Sequence, residues 1–346
     1  MAYRGVFVRR LAFCIFANNI NSTLKMEEEN SCTNEISSSP AKKPLCVKPG
    51  SAKAWFLASR PKTLTAALCP VVVGTALAWD DGKANWAAFA LCLAFAALMQ
   101  IAANFINDLF DFTRGTDRED RLGPERACAQ GWISPRAMKL GIALTVSAAC
   151  LCGLGLIPFG GWPLVWLGVA CVVFAFLYTT LLSYCGWGDV LVFVFFGLVP
   201  VCGTYFVQAG SPTPAVWILG AGCGLATDTL LVLNNFRDYD TDRLSGKRTL
   251  IVSFGKKFGS QLYAWLGVAA ALCSATLVFL GHFTIIPFVT IYLISHQHMA
   301  DHEQDRAGTG TEPRVGHDIE KHPRIFPAYR PGTIVNQNLG KMEWHI

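Results

Sequence analysis

Seven apolar runs are each about as long as a helix must be to cross hydrocarbon, and they constrain the fold more than any other feature of the chain. They fall at roughly 64–80, 86–106, 137–158, 163–182, 188–208, 214–233 and 260–280. An eighth, "FTIIPFVTIYLIS" at 283–295, is short for a span. In lipid a helix satisfies its own backbone hydrogen bonds, so an all-α, multi-pass transmembrane helical bundle of about eight membrane segments is expected. A barrel would need short segments of alternating polarity, which the sequence lacks. The composition agrees: 52% of residues are hydrophobic and 15% charged, whereas soluble domains are about a quarter charged. Most of the 13 cysteines lie inside the apolar runs, where they act as small buried hydrophobes. No CxxC pair and no Cys/His zinc spacing occurs.

Charge is concentrated in alternate loops. The loop after the second run carries Arg114, Arg118, Arg121, Arg126, Arg136 and Lys139. The loop after the sixth carries Arg237, Arg243, Lys247, Arg248, Lys256 and Lys257. The loops after runs one, three, five and seven share a single lysine, Lys83. The excess of cations puts the N-terminus and both charged loops in the cytoplasm, which fits an integral protein of a bacterial plasma membrane. Residues 1–25 are basic and free of acids. They read either as a targeting peptide, which would imply an organellar membrane, or as an over-long start with Met26 as the first residue. Residues 26–50 are polar and expected to be disordered. The expected organisation is an N-terminal extension over 1–50, a membrane domain over 51–295 and a polar tail over 296–346. The tail holds six of the seven histidines. "HQHMADH" reads more simply as histidine enrichment in a disordered or frame-altered tail than as a metal site. Such an alteration beyond Ser295 would leave an inactive product.

The chemistry sits where two of the runs end. Asn104, Asp108 and Asp111 are spaced i, i+4, i+7, and Asn107 lies four residues before Asp111, so both sets follow one helix face. Asn234, Asp238 and Asp242 repeat at the same interval after the sixth run. The loops echo each other, "DRLGPER" at 120–126 against "DRLSGKR" at 242–248, as in two related halves. Carboxylates cost on the order of 3 kcal/mol each near membrane depth, and like charges four residues apart repel. One acidic helix end beside a basic loop is most simply a solvated cap. Two with the same pattern on the same side call for a shared cation. Magnesium suits oxygen-only ligands and bridges carboxylates to phosphates. The neighbouring arginines and lysines suit the same phosphates. The combination reads as a diphosphate site at the membrane boundary, with a lipid tail in the apolar bundle behind it.

These motifs resemble those of the UbiA-type membrane prenyltransferases, most closely the 1,4-dihydroxy-2-naphthoate polyprenyltransferases of menaquinone synthesis. The resemblance runs from about Trp55 to Ile294. "ASRPKTLTAALCPVVVGTALA" is similar to the family's opening helix. "NDLFDFTRGTD" is similar to its first Asp-rich motif, with Asn107, Asp108, Asp111 and Asp117. "NNFRDYDTDRLSGKRTL" is similar to its second, with Asn235, Arg237, Asp238 and Asp242. The resemblance implies transfer of a polyprenyl group from a polyprenyl diphosphate to an aromatic acid, with loss of the ring carboxylate as CO2. It implies Mg2+ held by Asp108, Asp111, Asp117, Asp238 and Asp242. It implies Asn104, Asn107 and Asn235 at the metal or the diphosphate. Arg118, Arg121, Arg126, Lys247 and Arg248 would meet charge on the leaving diphosphate. Tyr178 would stand at the acceptor, or else belong to an interfacial aromatic belt. The family generally has nine membrane helices, more than the runs counted here. Membrane lipid is the expected surrounding partner; no nucleic acid and no obligate protein partner are expected.

Two other readings stay open at this level. The acceptor could be 4-hydroxybenzoate, homogentisate or haem. Alternatively, the chain could be a membrane carrier in which Asp228, alone within the sixth run, lines a pathway.

Overall fold

A computed structural model describes residues 47–115 and 125–280. The expected eighth span, the extension before residue 47, the tail from residue 296 and the site residues Asp117, Arg118 and Arg121 lie outside the described residues.

Every regular element among the described residues is helical. In chain order they are α1 (Ala52–Ser59), α2 (Pro61–Asp80), α3 (Trp86–Arg114), α4 (Pro135–Leu154), α5 (Ile157–Gly160) and α6 (Pro163–Thr180). A 3-10 turn (Leu182–Tyr184) follows, then α7 (Gly188–Phe193), a π-helical turn (Val194–Leu198) and α8 (Val199–Ala209). The chain continues through α9 (Pro214–Arg237), α10 (Tyr239–Leu244), α11 (Leu250–Phe254) and α12 (Lys256–Phe279). Seven helical stretches are long and apolar enough to cross a membrane: α2, α3, α4, α6, the α7–α8 stretch, α9 and α12. They coincide with the seven long apolar runs.

Helix starts follow local chemistry. Asn85 accepts hydrogen bonds from the amides of Ala87 and Ala88 and so caps α3. Ser51 and Ser134 cap α1 and α4 in the same way. Proline opens α2, α4, α6 and α9, where a missing N–H costs nothing. Helix α3 continues about two turns past its apolar run and stops at Gly115, whose φ of 68° suits a residue without Cβ. That overrun carries the first acidic motif.

Packing then arranges the helices around both acidic ends. Helix α9 lies against α12 on one side and against α7, the π turn and α8 on the other. Helix α2 joins α8 to α3, and α3 packs on α4 and α6. The approach of the π turn to α9 requires small residues. A Cβ on Gly197 would fall 2.4 Å from the Gly224 Cα, and one on Gly224 would fall 2.6 Å from the Phe193 carbonyl oxygen. The outward faces stay apolar, with Leu144 and Leu151 of α4 and Trp166 and Val173 of α6 exposed, as a lipid-facing surface requires. Each acidic end rests on its own apolar cluster. Ala54, Phe105, Ile106, Ile133 and Met138 lock α1 and the 127–133 loop onto α3. Val232, Ile251 and Tyr263 join α9, α11 and α12.

Candidate active site

The acidic face of α3 is buried and fully wired. Asn104 donates to the Ser59 carbonyl at 2.8 Å and to the Thr63 hydroxyl at 3.0 Å, fastening the α1–α2 junction. Asn107 accepts a hydrogen bond from Thr179 at the end of α6. Asp108 is 1% exposed. Its two carboxylate oxygens accept from the amides of Ala127 and Cys128, at 2.7 and 2.8 Å. Asp111 receives Arg126 Nη2 at 2.6 Å, and both side chains are buried. One helix face therefore holds two neighbouring elements and the returning loop.

The second acidic end is looser. Helix α9 stops at Arg237, and Asp238 takes the cap position. Arg237 grips Asp238 in bidentate fashion, with both N–O distances 2.8 Å. Asp242 is buried on α10, with the Lys247 ammonium 3.5 Å from Oδ1. The Asp242 carbonyl also accepts from the Lys247 amide, which curls the "DRLSGK" segment back on itself. Asn235 is half-buried, and Asn234 and Arg248 are exposed.

The end of α6 connects the two. Thr179 donates to Asn107 of the first motif, and the neighbouring Tyr178 ring packs toward Gly188 at the start of α7. Six residues further on, the Tyr184 ring sits between two cations. The Arg114 guanidinium is 4.6 Å from its centroid and the Lys247 ammonium 5.7 Å. The Tyr184 carbonyl accepts from the Arg248 amide at 3.2 Å, and Arg114 donates to the Thr179 carbonyl at 3.1 Å. Groups far apart in sequence thus converge on one short stretch, residues 179–184.

The structure gives two of the expected residues framework partners. Asp108, expected at the metal, accepts a backbone amide on each oxygen and so seats the 125–133 loop. Asn104, expected at the metal or phosphate, holds the α1–α2 junction. Arg114, Tyr184 and Asp189 were not singled out from the sequence. Arg114 was legible only as the first cation of the loop after the second run. Tyr184 sits in an irregular turn with no periodic signal.

The donor set fits a divalent, oxygen-preferring ion. Asp111, Asp238 and Asp242 are hard carboxylates from two helix ends, and each already holds one cationic side chain: Arg126, Arg237 or Lys247. Among the described residues no group of three or more acidic, histidine or cysteine side chains is gathered so that it could hold a metal ion. Magnesium usually takes only one or two protein carboxylates and completes its shell with substrate phosphates and water.

Residues 67–308 match the model of the UbiA prenyltransferase family. The chain is 37% identical over 234 residues to a 1,4-dihydroxy-2-naphthoate octaprenyltransferase of Escherichia coli, covering 64% of this chain and 75% of that protein. It is 36% identical to the protein of the same description from Mycobacterium leprae, covering 65% and 77%. In structure it resembles a UbiA homolog from Archaeoglobus fulgidus described as bound to GPP and Mg2+. The TM-score is 0.59 at 16% identity, over 73% of this chain and 88% of that one, a likeness of fold.

Proposed function

Because the chain belongs to the UbiA prenyltransferase family, we propose that it joins a polyprenyl group to 1,4-dihydroxy-2-naphthoate at the boundary of a bacterial plasma membrane. The polyprenyl diphosphate supplies the group, diphosphate leaves, and the ring carboxylate departs as CO2 to give a demethylated menaquinone precursor. The observation that carries this reading is that the Tyr184 ring stands between Arg114, at the end of the first acidic helix, and Lys247, the partner of Asp242 in the second motif, so both motifs meet at one place.

In this account Asp111, Asp238 and Asp242 would hold magnesium together with the substrate diphosphate, and Asn107 and Asn235 would stand beside them. Magnesium, when bound, supplies Lewis-acid stabilisation of the departing diphosphate. Lys247, Arg248 and Arg126 meet the negative charge that develops there, a contribution largest at the transition state. Arg237 holds Asp238 in place by its two hydrogen bonds. Asp108 keeps Arg126 in reach of the site by fixing the amides that follow it. The apolar walls of the bundle exclude water from the allylic centre, which prevents hydrolysis.

The test supplies the detergent-purified chain with a long polyprenyl diphosphate and dihydroxynaphthoate, 4-hydroxybenzoate, homogentisate and haem in parallel. Diphosphate release is followed with magnesium and with excess chelator. Release with dihydroxynaphthoate that stops in chelator is expected. Preference for another acceptor, or undiminished turnover in chelator, would contradict the proposal.

A further inference from the structure

The corner where α1 meets α4 carries charge that the diphosphate chemistry does not use. Helix α1 turns Ala54 and Ala58 inward and Lys53 and Phe56 outward, with Phe56 62% exposed. Trp55 pins the helix down. Its ring meets Phe105 of α3 with centroids 5.4 Å apart, and a Cβ on Gly141 of α4 would fall 2.6 Å from Trp55 Cζ3. The Gly50 amide donates to the Trp132 carbonyl at 2.8 Å, which fastens the approach to α1 onto the loop before α4. Lys53 is two residues from Trp55, and Lys139 is two residues from Gly141, so the contact brings cations of both helices to one corner. Arg136, the second residue of α4, joins them where the helix dipole disfavours a cation. Lys53, Arg136 and Lys139 are exposed, and among the described residues none of the three makes an ion pair. No Asp or Glu occurs between Val47 and Trp79 or between Arg126 and Gly188, so neither helix supplies a counter-charge. One turn after Arg136 the same face of α4 becomes apolar, with Leu140 61% exposed and Leu144 and Leu151 beyond it.

We infer that Lys53, Phe56, Arg136, Lys139 and Leu140 form an interfacial docking surface for anionic phospholipid, in the leaflet on the side of the acidic helix ends; the inference depends on the membrane bundle and not on the prenyl-transfer reading. The three cations meet headgroup phosphates, while Phe56 and Leu140 enter the boundary with the acyl chains. Long basic side chains suit that level, because their stems lie along apolar surface and their charged ends reach the polar layer. In water the same corner would leave Phe56 and Leu140 exposed to no purpose. In lipid it continues without a break into the outward face of α4. A second copy of this chain does not suit the surface, because it would set the same three cations against each other. The surface is also tied to the first acidic end. Asn104 of α3 donates to the carbonyl of Ser59, the last residue of α1. Lipid bound at α1 therefore holds that end of the bundle at a fixed depth.

The test is native mass spectrometry of the detergent-purified full chain, equilibrated with equimolar phosphatidylglycerol and phosphatidylcholine of identical acyl chains. Each cation at an anionic surface is expected to strengthen binding about fivefold, so phosphatidylglycerol should be retained at least about tenfold over phosphatidylcholine. Equal retention overturns the proposal without any variant having to fold. Glycerophosphoglycerol, the headgroup without its chains, is expected not to displace the bound lipid. Displacement at equal concentration would mean a site for a soluble anion and would overturn the lipid surface. The combined variant Lys53→Gln, Arg136→Gln and Lys139→Gln is expected to lower the preference at least about fivefold. Its thermal midpoint should stay near that of the parent, because all three side chains are exposed. Lys83→Gln, between α2 and α3 at the opposite end of the bundle, is expected to leave the preference unchanged. A combined variant that keeps the parent's preference, or an equal loss in Lys83→Gln, likewise overturns the assignment.

Discussion

The acidic ends of α3 and α9 look alike in sequence and are built differently. At α3, Asp108 is fixed by two backbone amides and Asp111 by a buried arginine, so the motif is held rigidly in the framework. At α9, Asp238 is held by the adjacent Arg237, which is about one-third exposed, and Asp242 by a lysine at 3.5 Å. These partners can turn toward a ligand without leaving backbone groups stranded. The contrast teaches that a repeated motif need not repeat its energetics: one end fixes the geometry, and the other is free to respond to substrate.

The largest expected effect tests the responsive end. Asp238→Ala should lower turnover by about a thousandfold or more, with a thermal midpoint in detergent near that of the parent. A midpoint drop matching the lost activity would make the α9 end structural too. Asp108→Ala should do the reverse. It strands two buried amide N–H groups, so it should cost about 3 kcal/mol of stability, while the folded remainder keeps its KM for polyprenyl diphosphate. If Asp108→Ala folds like the parent and loses only turnover, the comparison breaks.

Smaller effects sharpen it. The Tyr184 hydroxyl is buried without a hydrogen-bond partner among the described residues, so Tyr184→Phe should be neutral or slightly stabilising. Tyr184→Leu removes the ring shared by Arg114 and Lys247 and should cost about 1 kcal/mol. A loss of stability in Tyr184→Phe comparable to that in Tyr184→Leu would show that the ring is not what links the loops. The smallest effect belongs to Lys256, whose ion pair with Asp240 is exposed at 3.3 Å. Lys256→Ala should shift stability by no more than about 1 kcal/mol, and denaturant unfolding would detect a larger change.

The bundle was legible because membrane spans announce themselves by length and polarity. All seven described spans correspond to apolar runs. The one-face spacing of Asn104, Asp108 and Asp111 was legible for the same reason, since helix periodicity is local. What those side chains bind was not. The partners of Asp108 lie 19 and 20 residues further along, on a loop that folds back through contacts of Ile133 and Met138 with α3. No periodic pattern encodes that return. Helix α3 also outran its apolar run for a tertiary reason: Asn104, Asn107, Asp108 and Asp111 are tied to α1, α6 and the returning loop. Asp228 stood out as a lone acid in an apolar run, but its surroundings depend on how α7 meets α9. That meeting is set by the glycine contact at residues 197 and 224.

The central claim is that both acidic ends serve one diphosphate through one metal cluster. It is tested most directly by calorimetric titration of a non-reactive polyprenyl thiodiphosphate into the protein with and without Mg2+. The titration is repeated for Asp111→Asn, Asp238→Asn and the double variant. A single shared site predicts that each single variant loses nearly all the magnesium-dependent affinity and that the double variant loses no more. Additive losses, with each single variant keeping the contribution of the other end, would mean that the two ends bind separately.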